Sequence, residues 1–227
     1  MFTKALIFGV NQMQNGMKLN FRGEFFQLTL MTPFFDPGPH DYPNIPIYIA
    51  GVNKLMCQLA GEVCDGIHIH PMHTARYIEE FALAHILDGA KKTGRQREDI
   101  ELSGTVFVFP TDDAEKAVEY EAGARQQISF YASTPPYKVV MDIHNWGGTT
   151  EQLSFLASRG RWEEMPELIT DEMIDTFVVR GTWAEIPAKI KAKYAGGLLD
   201  RVSYYFPFVP GENDAGWQAS IAGFRQD

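Results

Sequence analysis

Cysteine is nearly absent from this sequence: Cys57 and Cys64 are the only two among 227 residues. Seven residues apart on one predicted helix, they share a face but stand about 10 Å apart along its axis, too far for a disulfide. That excludes a disulfide scaffold, and two buried thiols suit a reducing cytoplasm. Long apolar runs are also missing, since none approaches the roughly 20 residues that span a bilayer. The first nine residues imitate the apolar part of a signal peptide. No small-residue cleavage site follows, however, and Asn11 and Gln12 break the run early, so the segment reads as a helix. Positive charge is in deficit. Twenty Lys and Arg against 29 Asp and Glu leave a net −9 at pH 7, which argues against nucleic acid and anionic membranes as partners. Neither a fixed short repeat nor a low-complexity stretch occurs.

What is present is core-forming material. With 45% hydrophobic residues, a chain of this length buries a sizeable core as one domain, residues 1–227. The most informative stretch is Ile45-Pro46-Ile47-Tyr48-Ile49-Ala50-Gly51-Val52-Asn53-Lys54, followed by residues 55–64 and then Asp65-Gly66-Ile67-His68-Ile69-His70. It reads as buried strand, glycine turn, helix and second buried strand, a parallel βαβ unit. Gly51 allows close backbone approach and Asn53 is placed to cap the helix. The unpaired N–H groups of Asn53, Lys54 and Leu55 would then face an anion such as a phosphate. The alternative is a turn that merely caps its helix.

Along the rest of the chain, residues 2–13 predict a helix stopped by Asn15-Gly16. Residues 19–30 predict a short hairpin, and 31–44 a loop punctuated by Pro33, Pro37, Pro39 and Pro43. After Pro71-Met72-His73-Thr74 a helix is expected to about Lys92, then a third strand over 100–109. Asp112 with Glu115 reads as a capping box for a helix to about Tyr131. Residues 132–179 carry no strong strand and several helix starts, at Thr149 with Gln152 and at Thr170. They are rich in aromatics (Tyr137, Trp146, Phe155, Trp162), and such an excursion reads as a cover over an active site or as a packing subdomain. Thr182 with Glu185 opens another helix, which Pro187 is expected to kink and Gly196-Gly197 to end. A fourth strand spans 201–208. Four strands alternating with helices make a parallel sheet, half of a (β/α)8 barrel.

His68, His70 and His73 invite a metal reading, because residues two apart on a strand share a face. A catalytic metal needs further ligands at other strand ends. The fourth strand has Asp200 at its start and no carboxylate near Phe206-Pro207, so no metal is assigned. His68 is expected to be a polar residue of the barrel interior. His85, on an apolar helical stripe, reads as a hydrogen-bonded core histidine. Lys54 and Arg76 are candidates to offset a bound anion, or are surface cations. Alternation sends Tyr204 and Phe206 to one face and Tyr205 to the other.

Several motifs resemble the luciferase-like oxidoreductases: Phe21-Arg22-Gly23-Glu24-Phe25-Phe26, Pro46-Ile47-Tyr48-Ile49-Ala50-Gly51-Val52 and Ala60-Gly61-Glu62-Val63-Cys64-Asp65-Gly66. Others resemble the deazaflavin (coenzyme F420)-dependent branch of actinobacterial type: Phe130-Tyr131-Ala132-Ser133-Thr134-Pro135-Pro136-Tyr137, Ser158-Arg159-Gly160-Arg161-Trp162-Glu163-Glu164-Met165 and Leu168-Ile169-Thr170-Asp171-Glu172-Met173. The resemblance implies an α/β (β/α)8 TIM barrel, present as an incomplete C-terminal half-barrel with a helical insertion before the last strand. It implies coenzyme F420, or FMN as the alternative, with Ala50, Gly51, Val52 and Asn53 at its phosphate and His70 and His73 beside it. Hydride transfer between the deazaflavin and an organic substrate is the implied reaction, with an FMN-dependent monooxygenase as the nearest variant. Family members carry further N-terminal strands with the ring contacts and proton donors, so no catalytic residue is assigned. The expected partners are a small-molecule substrate and, through open barrel edges exposing an apolar interior, further copies of the chain. The alternatives are a noncatalytic half-barrel remnant or binding module, and a metal-dependent barrel hydrolase.

Overall fold

The computed structural model describes residues 2–36, 38–39, 41–42 and 45–225. Pro37 and Pro43 of the expected loop lie outside the described residues. The chain opens with α1 (Phe2–Gln14), ended by Gly16 in the left-handed region (φ 62°). A two-stranded antiparallel hairpin follows, β1 (Phe21–Arg22) and β2 (Gln27–Leu28). Next come β3 (Tyr48–Ala50), α2 (Lys54–Val63) and β4 (Gly66–Ile69). Beyond them α3 (Ala75–Tyr77), a π turn (Ile78–Ala82) and α4 (Leu83–Lys91) run on as one helix, and β5 (Glu101–Pro110) and α5 (Ala114–Ala132) succeed it. The segment after α5 holds α6 (Lys138–Asp142), α7 (Gly147–Ser158) and α8 (Asp171–Phe177). The chain ends with β6 (Val178–Gly181), α9 (Ile186–Lys193), β7 (Arg201–Tyr205) and α10 (Asp214–Arg225).

Five of these strands form one all-parallel sheet, in which β3 pairs β4, β4 pairs β5, and β5 pairs both β6 and β7. Ser103 is in register with His68 of β4 and Arg201 of β7; Phe107 is in register with Val178 of β6 and Tyr205 of β7. A strand has two edges, so β7 takes one side of β5 while β4 and then β6 share the other. Strand β6 is a correction to the expectation that residues 132–179 lack a strand. Val178 and Val179 are a β-branched pair too short to register as a strand, and they form one because the upper half of β5 offers an edge that β4 does not reach.

Register also sorts the two faces. Ile67, Ile69, Leu102 and Val106 point one way and are buried beneath the helices; each contributes about 1.5–3 kcal/mol by burial. The opposite, concave face carries Tyr48, His68, Glu101, Thr105, Arg201 and Ser203. Arg201 pairs with Glu101 at 2.6 Å, and the Thr105 and Ser203 hydroxyls lie 2.9 Å apart. The expected apolar interior is therefore corrected in part: this face is polar over its lower half, and Phe107 and Tyr205, with rings 4.8 Å apart, close its upper end. His68 sits on it, exposed, against Tyr48.

Helices α2 and α4 lie backbone to backbone. A Cβ on Gly61 would fall 1.9 Å from the Ile86 carbonyl oxygen, and one on Gly89 would fall 1.9 Å from that of Gln58. Cys57 and Cys64 are buried as free thiols.

Several local expectations change. Asp113, not Asp112, caps α5, accepting from the N–H groups of Glu115 and Lys116; Asp112 instead accepts from Trp183 N–H at 3.0 Å. Helix α7 starts at Gly147, so Thr149 lies inside it. Pro187 occupies the first turn of α9, where its missing N–H costs nothing and no kink arises. Glu185 does accept from Thr182 N–H at 3.0 Å. His85 stands edge-on to Phe81, but its Nδ1 has no hydrogen-bond partner and Asp88 is 3.6 Å away, so it is not a satisfied core histidine. In the segment after α5, Val140, Met141, Leu153 and Phe177 are fully buried, so its helices share the main core.

Candidate functional site

The ends of β3, β4 and β7 converge with the last turn of α5. At the end of β3 the chain passes through Ala50, Gly51 and Val52 into α2, whose cap residue Asn53 is extended (φ −102°, ψ 162°). The Asn53 side chain makes no cap. Its Nδ2 donates to the Pro136 carbonyl at 3.0 Å, tying the turn to the segment after α5. Among the described residues no acceptor meets the N–H groups of Asn53, Lys54 or Leu55, and the first turn of α2 has no acidic residue. Three unpaired donors at a helix N-terminus form an anion-binding surface. Gly51 has a second reason to lack a side chain, because a Cβ there would lie 2.7 Å from Cβ of Met56 in α2. The Val52 carbonyl is fixed from behind by the buried Tyr77 hydroxyl.

His70 follows β4 and is half-buried between two tyrosines. Its ring stands edge-on to Tyr131 and tilts against Tyr137, each at 4.7 Å between centroids. Nδ1 accepts from Met72 N–H at 3.1 Å, which leaves Nε2 to carry the proton. Burial lowers the His70 pKa below the usual histidine value, so the ring is neutral at pH 7. The Tyr131 hydroxyl meets that of Tyr205, from the end of β7, at 3.0 Å. Burial, then the Tyr205 hydroxyl, pushes the Tyr131 pKa up to about 12. The sequence does not single out Tyr131 and Tyr137 for the pocket, and it offers Tyr205 only as one of the two faces of the last strand. The aromatic richness of the segment was the available signal.

His73 is buried, with its Nδ1 2.7 Å from the His70 carbonyl and its Nε2 2.9 Å from the Tyr194 hydroxyl. It braces the loop that presents His70 and does not itself face the tyrosines. His68 lies on the concave face, so the three histidines diverge. Among the described residues no three His, Cys, Asp or Glu side chains come together as a metal site. Arg76 is paired with Glu80 at 2.9 Å, whereas Lys54 is exposed beside the turn.

Two of the clefts around this region differ sharply in chemistry. One, of about 390 Å3, lies between Thr74, His144, β6 and α9, and is lined by Arg76, Arg180, Lys189 and Lys193. The other, of about 430 Å3, lies between α5 and the ends of β5 and β7, and is mainly apolar.

The luciferase-like monooxygenase family model matches residues 7–201. An uncharacterized protein of Mycobacterium tuberculosis (strain ATCC 25618 / H37Rv) is 41% identical over 94% of this chain and 62% of its own length. The 5,10-methylenetetrahydromethanopterin reductase of Archaeoglobus fulgidus is 28% identical over 86% of this chain and 57% of its own. Among solved structures, the coenzyme F420-dependent tetrahydromethanopterin reductase of Methanopyrus kandleri superimposes with a TM-score of 0.72 at 21% identity. That match covers 97% of this chain and 60% of the other. The chain thus spans about three-fifths of the length of the proteins it matches, and its parallel sheet follows the luciferase-like (β/α)8 barrel fold.

Proposed function

The chain belongs to the luciferase-like monooxygenase family, and from that premise we propose that it binds coenzyme F420 as part of an oxidoreductase. The supporting observation is the junction of β3 and α2, where three backbone N–H groups lack acceptors among the described residues, beside the His70, Tyr131 and Tyr137 rings. Gly51, Val52 and Asn53, with Ala50 at the strand end, would hold the cofactor phosphate. His70 would border the flat ring system, and His73 would keep His70 in place. The donor set fits the group: unpaired amides, an adjacent Lys54, no first-turn carboxylate, and a cluster of aromatic rings beside the turn. Bound there, a reduced deazaflavin supplies a hydride for an organic substrate. The protein's own part is to bind, orient and shield it from water. FMN, which also bears a phosphate and a tricyclic ring, is the alternative cofactor. Under this reading residues 132–179 cover the substrate, the unpaired Cys57 and Cys64 thiols belong in a reducing cytoplasm, and the free sheet edges recruit further copies of the chain.

The test uses a proline at the first position of α2. Asn53 is already extended, so Lys54→Pro is accommodated while one N–H donor and one charge are lost. Lys54→Gln removes the charge alone. Titration with F420 and with FMN should show affinity at least tenfold weaker in Lys54→Pro than in Lys54→Gln. Equal affinities would remove the phosphate assignment.

A further inference from the structure

The cleft beneath α5 is aromatic and mainly apolar. Its walls are rings: Tyr205 at the end of β7, Phe206 next to it, and Tyr120 from α5, whose ring stands 5.0 Å from that of Phe206. Its roof is the stripe Glu119, Gly123 and Gln127, which recurs every fourth residue and so lies along one side of α5. Among the described residues no Lys, Arg or His lines it, in contrast to the neighbouring cleft with its four cations.

Gly123 is the informative member. It sits in the interior of a 19-residue helix, where glycine is unfavourable relative to alanine. Its backbone is not in the left-handed region, and a Cβ there would meet nothing within 4 Å. Neither conformation nor packing calls for a glycine. What its missing side chain preserves is open volume in the cleft.

The cleft also connects to the cofactor site already proposed. Tyr205 lines the cleft and holds the Tyr131 hydroxyl, and Tyr131 is packed on His70. We infer that this cleft is the substrate subsite and that it takes a neutral, planar, apolar molecule, stacked against Tyr205 and Phe206 beneath Gly123. The volume of about 430 Å3 matches small-molecule sites. The lone carboxylate of Glu119 and the lack of any cation disfavour phosphorylated or carboxylate substrates. Placing the hydride acceptor here rests on the cofactor reading above; the cleft's affinity for a planar apolar ligand does not.

The experiment measures binding of 2-naphthol, with glucose 6-phosphate as the anionic comparison, to the full chain with and without F420. Wild-type protein should bind 2-naphthol and not the sugar phosphate. Gly123→Phe should weaken 2-naphthol at least tenfold, with F420 affinity unchanged and Tm unchanged or raised by roughly 2–4 °C. Gln127→Trp fills the same cleft one turn along and should act alike if Gly123→Phe fails to fold. Absent 2-naphthol binding, wild-type affinity in both filled variants, or preferred binding of the sugar phosphate overturns the inference. Loss of F420 binding in Lys54→Pro is read separately, so failure of one reading leaves the other standing.

Discussion

The His73 imidazole accepts the Tyr194 hydroxyl proton at Nε2 across 2.9 Å, because its Nδ1 must donate to the His70 carbonyl. A carbonyl can only accept, so the tautomer is fixed and both ring nitrogens are used. Burial holds the His73 pKa down at about 4.

That pKa sets a pH dependence. The unfolded chain takes up a proton near pH 6.5, whereas the native state resists until about 4. Between these values the unfolded state binds more protons, so stability is full above 6.5 and declines as pH falls towards 4. At about 1.4 kcal/mol per unit the loss is about 3 kcal/mol. Urea unfolding of wild-type protein and of His73→Gln at pH 7.5, 5.5 and 4.5 checks this. The variant should be less stable at pH 7.5 and should lack this component of the acid slope. Parallel slopes would mean that His73 is not the titrating group.

Helix contact supplies the second prediction. Gly61→Ala and Gly89→Ala would each drive a methyl group into a carbonyl of the facing helix. Overpacking against backbone costs at least the 1–3 kcal/mol typical of overfilled cores, outweighing alanine's better helix propensity of about 1 kcal/mol. Gly123→Ala, with open space around it, should instead hold or raise stability. Thermal melts of the three variants should separate the first two from the third.

The βαβ unit, the hairpin, the Gly196-Gly197 stop and the strands at 100–109 and 201–208 were legible because each carries a local signal, either apolar alternation or a turn residue. Strand β6 was not, since Val178 and Val179 become a strand only through the free upper edge of β5. The role of Gly51 was legible only in part. A glycine at a strand–helix turn invites a ligand reading, but the Met56 contact that also requires it is set by how α2 leaves the turn. A bulky substitution at Gly51 would therefore disturb the turn itself, which is why the proline variant at Lys54 is the better probe. Asn53 was expected to cap α2; its long-range bond to Pro136, 83 residues away, has no sequence signature.

Lys193 gives the third prediction. Its amine donates to the Val178 carbonyl at 3.2 Å and to that of Asp175 at 3.5 Å, and burial lowers its pKa to about 8. Below pH 8 both native and unfolded states are protonated and the burial cost is fully present. From 8 to about 10.5 the native state loses its proton first, so stability rises with pH. The amine is partly screened by solvent, so the gain is on the order of 2 kcal/mol. Lys193→Met should remove this rise between pH 7 and 9.5. An identical rise in the variant would assign it to other groups.

The sheet edges give the last prediction. Among the described residues β3 pairs only with β4, and β7 only with β5, so each presents an unpaired row of N–H and C=O groups. Such edges recruit other strands. The segment leading into β3 adds exposed apolar side chains, with Leu30 at 78% and Phe34 at 87% exposure. On the concave face between the edges Glu101 is already paired with Arg201, so the attraction comes from edges and flanking apolar groups. An all-parallel junction forms if β3 of one chain meets β7 of another, and two such junctions close a dimer. Light scattering should give a mass above 25.6 kDa at micromolar concentration. Asp200 N–H donates to the Leu102 carbonyl of β5, so by alternation the Ser203 N–H faces the open edge, and Ser203→Pro should shift the population towards monomer. A monodisperse monomer in the wild type would show that both edges are covered from within the chain.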